Sequence, residues 1–248
     1  MPAVHVATAE ELDALRRGGV ILRACLNHVA ALVAPGKRTI DLDAAGEQFI
    51  RDHGGAPAFK GYRGFPGTLC ISVNDECVHG IPGKRELKDG DIVSLDCGVL
   101  LDGLYTDACI TVPVGKIAPK ARELLTVTER ALEQALGVIK ADCRVGDISA
   151  AVQEYVEAHG FAVIPALTGH GIGRTLHQFP DVPNVGKRGT GPVLPEGAVI
   201  AVEPITSAGS KDIVTADDGW TLSSDDGALT AHFEHTILIT ADGIEILA

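Results

Sequence analysis

The stretch IVSLDCGVLLDGLYTDACIT, residues 92–111, decides how the rest of the chain is read. Apolar residues alternate on either side of Asp102-Gly103, and an Asp-Gly pair between two such runs signals a two-residue hairpin loop. With those two residues as the loop, Leu101 faces Leu104 across the ladder, Asp96 faces Cys109 and Gly98 faces Asp107. Side chains alternate with period two, so Asp96 and Asp107 fall on one face as diagonal neighbours, roughly 7–8 Å apart at the backbone. A bulge at the turn would reverse that parity. Two aspartates inside apolar strands are costly to bury: like charges repel, and one takes up a proton unless a cation neutralises both. One hairpin alone leaves a second reading open, an edge hairpin with a solvated face or aspartates met by arginines.

The second half of the chain tips the balance. In VIPALTGHGIGRTLHQFP (163–180) His170 lies between Gly169 and Gly171, and glycines let backbone approach a site closely. The spacing is G-x-G-x-G, with no helix pattern behind it, so it is not a dinucleotide fingerprint. VIAVEPI (199–205) reads as a strand carrying Glu203, and AHFEHTILIT (231–240) as another carrying Glu234; Asp242-Gly243 closes a last hairpin. Between them runs a polar loop, 207–227, bearing the single tryptophan, Trp220. Four carboxylates (Asp96, Asp107, Glu203, Glu234) and one imidazole (His170) among apolar neighbours suit two divalent first-row transition ions. Ions roughly 3.5–4 Å apart share a water and bring its pKa near 7. No G-x-S-x-G elbow is present and no cysteine has an evident base partner, which argues against covalent catalysis.

Working outward, Thr8 and Glu11 form a capping box. Behind them Leu12, Leu15, Gly19, Leu22, Leu26, Val29 and Val33 recur at helical steps up to Pro35-Gly36. A second helix is expected from about Thr39 to Gly54-Gly55, then a Gly/Pro-rich approach (56–70) and a strand over 70–73. The pattern then restarts, with helices over about 118–140 and 147–159. Residues 35–54 align without a gap on 141–160, matching Arg38 with Arg144, Asp41 with Asp147, Ala44-Ala45 with Ala150-Ala151 and His53-Gly54 with His159-Gly160. The order predicts two related α+β halves sharing one site at their junction. They would run over about 9–113 and 118–248, forming a single domain (9–248) behind a short, unstructured N-terminal tail (1–8).

The chain has 248 residues, 46% of them hydrophobic, and a formal net charge of −12. That acidity argues against a nucleic-acid-binding domain. No apolar run reaches membrane-spanning length and no signal core precedes the first helix, so a cytoplasmic protein is expected. Six cysteines without a C-x-x-C pair indicate neither a zinc ribbon nor a redox motif, and most are expected to be small buried thiols.

ISVNDECVHGIPG (71–83), SLDCG (94–98), YTDACIT (105–111), TGHGIGRTLH (168–177), AVEPI (201–205) and FEHTI (233–237) together closely resemble the type I methionine aminopeptidases. The resemblance runs from about Ala9 to the end of the sequence. It implies the pita-bread fold of two pseudosymmetric halves, and removal of the initiator methionine from new proteins whose second residue is small. It implies two bound divalent ions (cobalt, manganese, iron(II) or zinc), with Asp96 bidentate, Asp107 and Glu234 bridging, and His170 and Glu203 completing the set. Glu203 would double as proton shuttle, His79 would bond near the scissile nitrogen, and His177 would stabilise the developing oxyanion. Phe59, Tyr62, Phe65, Cys70, Leu176 and Trp220 map to the methionine pocket, and a monovalent cation is expected near Asn74, Glu76 and Thr230. Nascent N-termini and the ribosome would be partners of a monomer. His5, His28, His53, His159 and His232 are read as ordinary surface or core residues. A proline-specific peptidase of the same fold, or a catalytically dead binding module, are the rivals. The first usually carries a large extra N-terminal domain, and the second typically loses ligands, none of which is missing. Because Pro2 is compact, Met1 itself is expected to be removed in the native host.

Overall fold

The computed structural model describes residues 3–248, so the expectation for Met1 and Pro2 lies outside the described residues. Helix α1 (Ala9–Ala31) begins with the expected capping box: Glu11 N donates to Thr8 Oγ1 at 3.2 Å and Thr8 N to Glu11 Oε2 at 2.7 Å. Its Leu15, Gly19, Leu22, Leu26 and Val29 are buried. Gly19 is required by packing, since a Cβ there would meet the Leu247 carbonyl oxygen at 1.9 Å. The residues just before α1 are not a free tail. Val6 bridges Ala198, and Ala7 N donates to Gly197 O at 2.9 Å. The apolar side chains of Val4 and Ala7 have core to pack against, which holds the segment in place.

Helix α2 (Thr39–Asp52) leads into β1 (Leu69–Val73), β2 (Ile92–Leu101) and β3 (Leu104–Pro113). The β2–β3 register is the one that Asp102-Gly103 predicts, with Leu101↔Leu104, Gly98↔Asp107 and Asp96↔Cys109 paired. Both loop residues have positive φ (50° and 81°), as a two-residue hairpin of this type requires. With β1 and the short strand Ala56–Pro57 these form an antiparallel four-stranded sheet.

Helices α3 (Pro119–Gly137) and α4 (Val145–Ala158) open the second half. The aligned segments prove structurally equivalent: α2 and α4 each span 14 residues and start after Arg38 and Arg144. Each ends on a histidine whose Nδ1 bonds the carbonyl four residues back, His53 to Phe49 at 2.8 Å and His159 to Tyr155 at 2.7 Å. Strands β4 (Thr168–Gly171), β5 (Gln178–Pro183), β6 (Val199–Val202), β7 (Ile205–Ser207), β8 (Thr230–His232), β9 (His235–Ile239) and β10 (Ile244–Ile246) follow. Five of them form a sheet ordered β10-β9-β6-β4-β5. The architecture is α+β, two pseudosymmetric halves with curved antiparallel sheets inside and helices outside: the pita-bread fold. Among the described residues no helix is long and apolar enough to cross a membrane, and all six cysteines are buried and free.

One expectation needs correction. Glu203 and Glu234 do not sit within continuous strands but at the breaks between β6 and β7 and between β8 and β9. At these points the chain crosses from the five-stranded sheet, where β6 pairs with β9, to a smaller one where β7 pairs with β8. Pro204 cannot donate to a ladder, which favours the break there. The seam between the halves is closed by threonines: Thr236 Oγ1 donates to Asp107 O at 2.6 Å and accepts from Asp107 N at 2.9 Å. Thr111 Oγ1 does the same for His232, donating to its carbonyl at 2.7 Å and accepting from its N–H at 2.9 Å.

Candidate active site

Asp96, on β2, faces Cys70 on β1 and Cys109 on β3. Asp107 lies two residues along the same face, opposite Gly98. A Cβ at Gly98 would meet Phe59 Cε1 at 2.6 Å, so glycine is what lets Phe59 pack beside the aspartates. His170 is flanked as the glycine pattern suggested: a Cβ at Gly169 would meet Ala201 O at 2.4 Å, and one at Gly171 would meet Phe179 O at 2.5 Å. Its Nδ1 lies 3.0 Å from the Gly171 carbonyl, so that nitrogen carries the proton and the Nε2 lone pair faces the cavity. Nε2 stands 3.5 Å from Glu203 Oε1. Glu234 is held by exchange with Cys109 across the seam, its N–H donating to Cys109 O at 2.9 Å.

The five ligand candidates, His79, His177 and the six methionine-pocket candidates all line one cavity of about 330 Å³, whereas Asn74, Glu76 and Thr230 are not in its lining. Donor atoms of Asp107, His170 and Glu234 lie within 4.8 Å of one another. The apolar part of the lining is Phe59, Phe65, Cys70 and Leu176, all buried, with Tyr62 and Trp220 partly exposed. Trp220 does not hang on a loose loop. Ile213–Thr215 and Leu222–Ser224 pair as a small hairpin, and Asp218 accepts from the N–H groups of Trp220 and Thr221, both at 2.8 Å. The indole meets Phe65 edge-on at 5.3 Å. His79 (φ 59°) faces Trp220 edge-on at 6.3 Å. His177, exposed at the mouth, stands 4.3 Å ring to ring from His170, with its Nδ1 3.0 Å from the Tyr62 hydroxyl. Around Asn74 the polar groups answer one another: the Thr230 hydroxyl lies 3.1 and 3.0 Å from the Asn74 and Glu76 carbonyls, and the Asn74 carboxamide is bonded to Asp91 and Ile92 N.

The sequence reading missed one residue of this site. His232, set aside with the ordinary histidines, is buried and lines the cavity, its Nε2 3.6 Å from Glu203 Oε2 and 3.8 Å from Glu234 Oε2. A signal was available, because residues 232 and 234 share a face wherever the chain is extended.

The electrostatics ask for cations. Asp96 Oδ1, Asp107 Oδ1 and Glu234 Oε1 are buried without a hydrogen-bond partner among the described residues. Burial raises Asp96 to about 7, and burial followed by mutual repulsion drives Asp107, Glu203 and Glu234 well above the carboxylate range. Burial lowers His170 to about 4 and His232 to about 3, so both are neutral imidazoles at pH 7. His177 is pushed the same way, first by the protein around it and then by His170 and Arg63. Oxygen-rich, anionic and with one free imidazole lone pair, this donor set fits divalent first-row ions.

A pH dependence follows for protein stripped of metal. A carboxyl whose folded pKa is raised contributes stability that is complete below its unfolded value and is lost as pH rises through the folded value. For Asp96 that window runs from 3.8 to about 7, and its three neighbours shift in the same direction. The buried histidines act with the opposite sign, their contribution being complete above 6.5 and lost on acidification towards 4 and 3. Above pH 6.5 the histidine effect is spent and the carboxyl effect acts alone until the buried thiols, raised in the same sense, add to it as pH nears 9. The melting temperature of metal-free protein should therefore fall on the order of 5 °C between pH 7 and 8.5. Saturating manganese should flatten the curve; a metal-free curve that is level or rises would contradict the site electrostatics.

Fold and donor set together define a metallopeptidase. The model of metallopeptidase family M24 matches residues 13–241. The chain is 48% identical to the methionine aminopeptidase of Clostridium perfringens over 96% of its own length and 95% of that enzyme's. It is 45% identical to methionine aminopeptidase 1 of Bacillus subtilis over 97% of each. The crystal structure of the methionine aminopeptidase from Thermotoga maritima superposes with a TM-score of 0.98 at 43% identity, covering 99% of both chains. The chain thus belongs to metallopeptidase family M24 and, within it, to the methionine aminopeptidases, a group of metal-dependent exopeptidases.

Proposed function

We propose that this enzyme removes the N-terminal methionine from peptides and newly made proteins whose second residue is small. The observation that carries this reading is the single cavity in which a buried acidic cluster abuts a recess lined by Phe59, Phe65, Cys70 and Leu176. An apolar recess with a thiol suits a thioether side chain by shape and dispersion. Asp96, Asp107, His170, Glu203 and Glu234 would hold two divalent ions, and cobalt, manganese, iron(II) and zinc all accept such donors, so supply decides. When bound, the ions supply Lewis acidity that polarises the scissile carbonyl and acidifies the attacking water. Glu203 takes the proton of that water and returns it to the departing amine nitrogen. His79 donates near the scissile nitrogen, and His177 donates to the carbonyl oxygen as it gains charge. Tyr62 and Trp220 close the pocket around the methionine side chain and limit water there.

The test is a comparison of Met-Ala-Ser with Xaa-Pro peptides, with and without chelator. Release of methionine from Met-Ala-Ser is expected, lost with chelator and restored by a divalent ion. Turnover of Xaa-Pro peptides in place of Met-Ala-Ser would assign the proline-specific activity instead. No turnover of either, with metal bound, would make the chain a binding module.

A further inference from the structure

His232 lines the cavity without a role in the scheme above, and its placement is tightly determined. Its backbone is bonded through both N–H and C=O to the Thr111 hydroxyl, which in turn lies 2.9 Å from Ser94 Oγ. In register it pairs with Ile205, two residues beyond Glu203. The ring is therefore aimed between the two glutamates. Its Nε2 is buried and has no hydrogen-bond partner among the described residues. Glu203 is in a matching position. Among the described residues its carboxylate makes no hydrogen bond; His170 Nε2 lies 3.5 Å from Oε1 and His232 Nε2 lies 3.6 Å from Oε2.

Once the two glutamates are ionised, as metal ligands must be, an unprotonated ring nitrogen facing their oxygens would set lone pair against lone pair. A protonated one offers a donor to two acceptors. We propose that His232 is a positioning residue: it carries its proton on Nε2 and donates it to Glu203 Oε2, fixing the plane of the Glu203 carboxylate. The separation is longer than a hydrogen bond, as is common for such contacts before substrate is bound, and they tighten in the reacting complex. This inference rests on Glu203 being the proton shuttle. A shuttle free to rotate about its last bond presents its oxygens in the wrong orientation for much of the time, which lowers turnover rather than substrate binding.

The experiment compares wild type, His232→Leu, His232→Gln and Glu203→Gln, all loaded with cobalt(II) to the same stoichiometry. His232→Leu is expected to lower kcat on Met-Ala-Ser by about ten- to a hundredfold, the usual loss on removing a residue that orients a metal-site carboxylate, with KM unchanged. His232→Gln, which keeps an N–H donor, is expected to recover most of the loss. The visible cobalt spectrum should be the same in all three His232 forms. Full activity in His232→Leu would overturn the proposal, and a changed cobalt spectrum would make His232 a ligand instead. Should His232→Leu fail to fold, ¹⁵N-histidine NMR of the zinc-loaded wild type decides, with the resonance assigned through His232→Gln. A protonated Nε2 supports the proposal, and an unprotonated or metal-shifted Nε2 overturns it. The Glu203→Gln arm separates the two layers of argument. If it turns over normally, the shuttle reading has failed; if it is inactive while His232→Leu is not, only the role of His232 has.

Discussion

Replacing Glu203 with glutamine is expected to lower turnover by about 10²–10⁴-fold, the range that general acid–base catalysis contributes, while leaving the fold intact. What Glu203 does for the fold is done by its backbone, whose carbonyl accepts from Asn184 Nδ2 at 2.8 Å. Among the described residues the side chain makes no hydrogen bond that the amide would lose, and burial beside Asp107 and Asp96 already disfavours its charge. Glutamine should therefore leave the melting temperature of metal-free protein unchanged or raise it. The amide cannot accept a proton, so the loss should persist when metal occupancy, measured by mass spectrometry, equals that of wild type. Retention of more than a few per cent of wild-type turnover at full occupancy would exclude Glu203 as the shuttle.

His177→Ala should lower kcat by on the order of 10²-fold, the typical cost of removing an oxyanion donor. The Tyr62 hydroxyl, 3.0 Å from Nδ1, can donate its hydrogen there, and the oxyanion role requires that arrangement because it leaves the ring proton on Nε2. The ring is neutral at working pH, because its surroundings and the neighbouring His170 and Arg63 hold its pKa down. A neutral donor of this kind strengthens its bond as charge builds on the substrate oxygen, without binding the ground state tightly. Metal content should be unaffected. Loss of metal on mutation would make His177 a ligand and withdraw the oxyanion role.

The parts of this molecule that could be read from sequence are those set by local rules. The hairpin register follows from Asp102-Gly103 and from strict alternation, and it placed Asp96 and Asp107 correctly. The first helix announced itself by Thr8, Glu11 and its leucine spacing, and the duplicated Arg, Asp and His-Gly positions marked α2 and α4 as equivalents. Features fixed by contacts distant in sequence were less visible. The breaks at Glu203 and Glu234 arise because paired strands change partners together, which neither segment reveals alone. Val6 is held by a segment near Ala198, and Trp220 is carried by a hairpin whose strands pair in part with Glu76–Val78. His232 was passed over because a lone histidine in an apolar run is more often plain core, and only the seam with Thr111 shows where its ring must point.

The threonine seam also sets an order of events during synthesis. Thr236 reaches Asp107 across 129 positions, and Thr111 reaches His232 across 121. A chain translated only as far as residue 200 holds two aspartates and His170 but neither glutamate, and it lacks the Thr236 hydroxyl that bonds the Asp107 backbone. Long-range closure of this kind comes late and is slow. Each new copy therefore carries an incomplete site for as long as β8 and β9 are unmade, and completes it only when those strands emerge and dock.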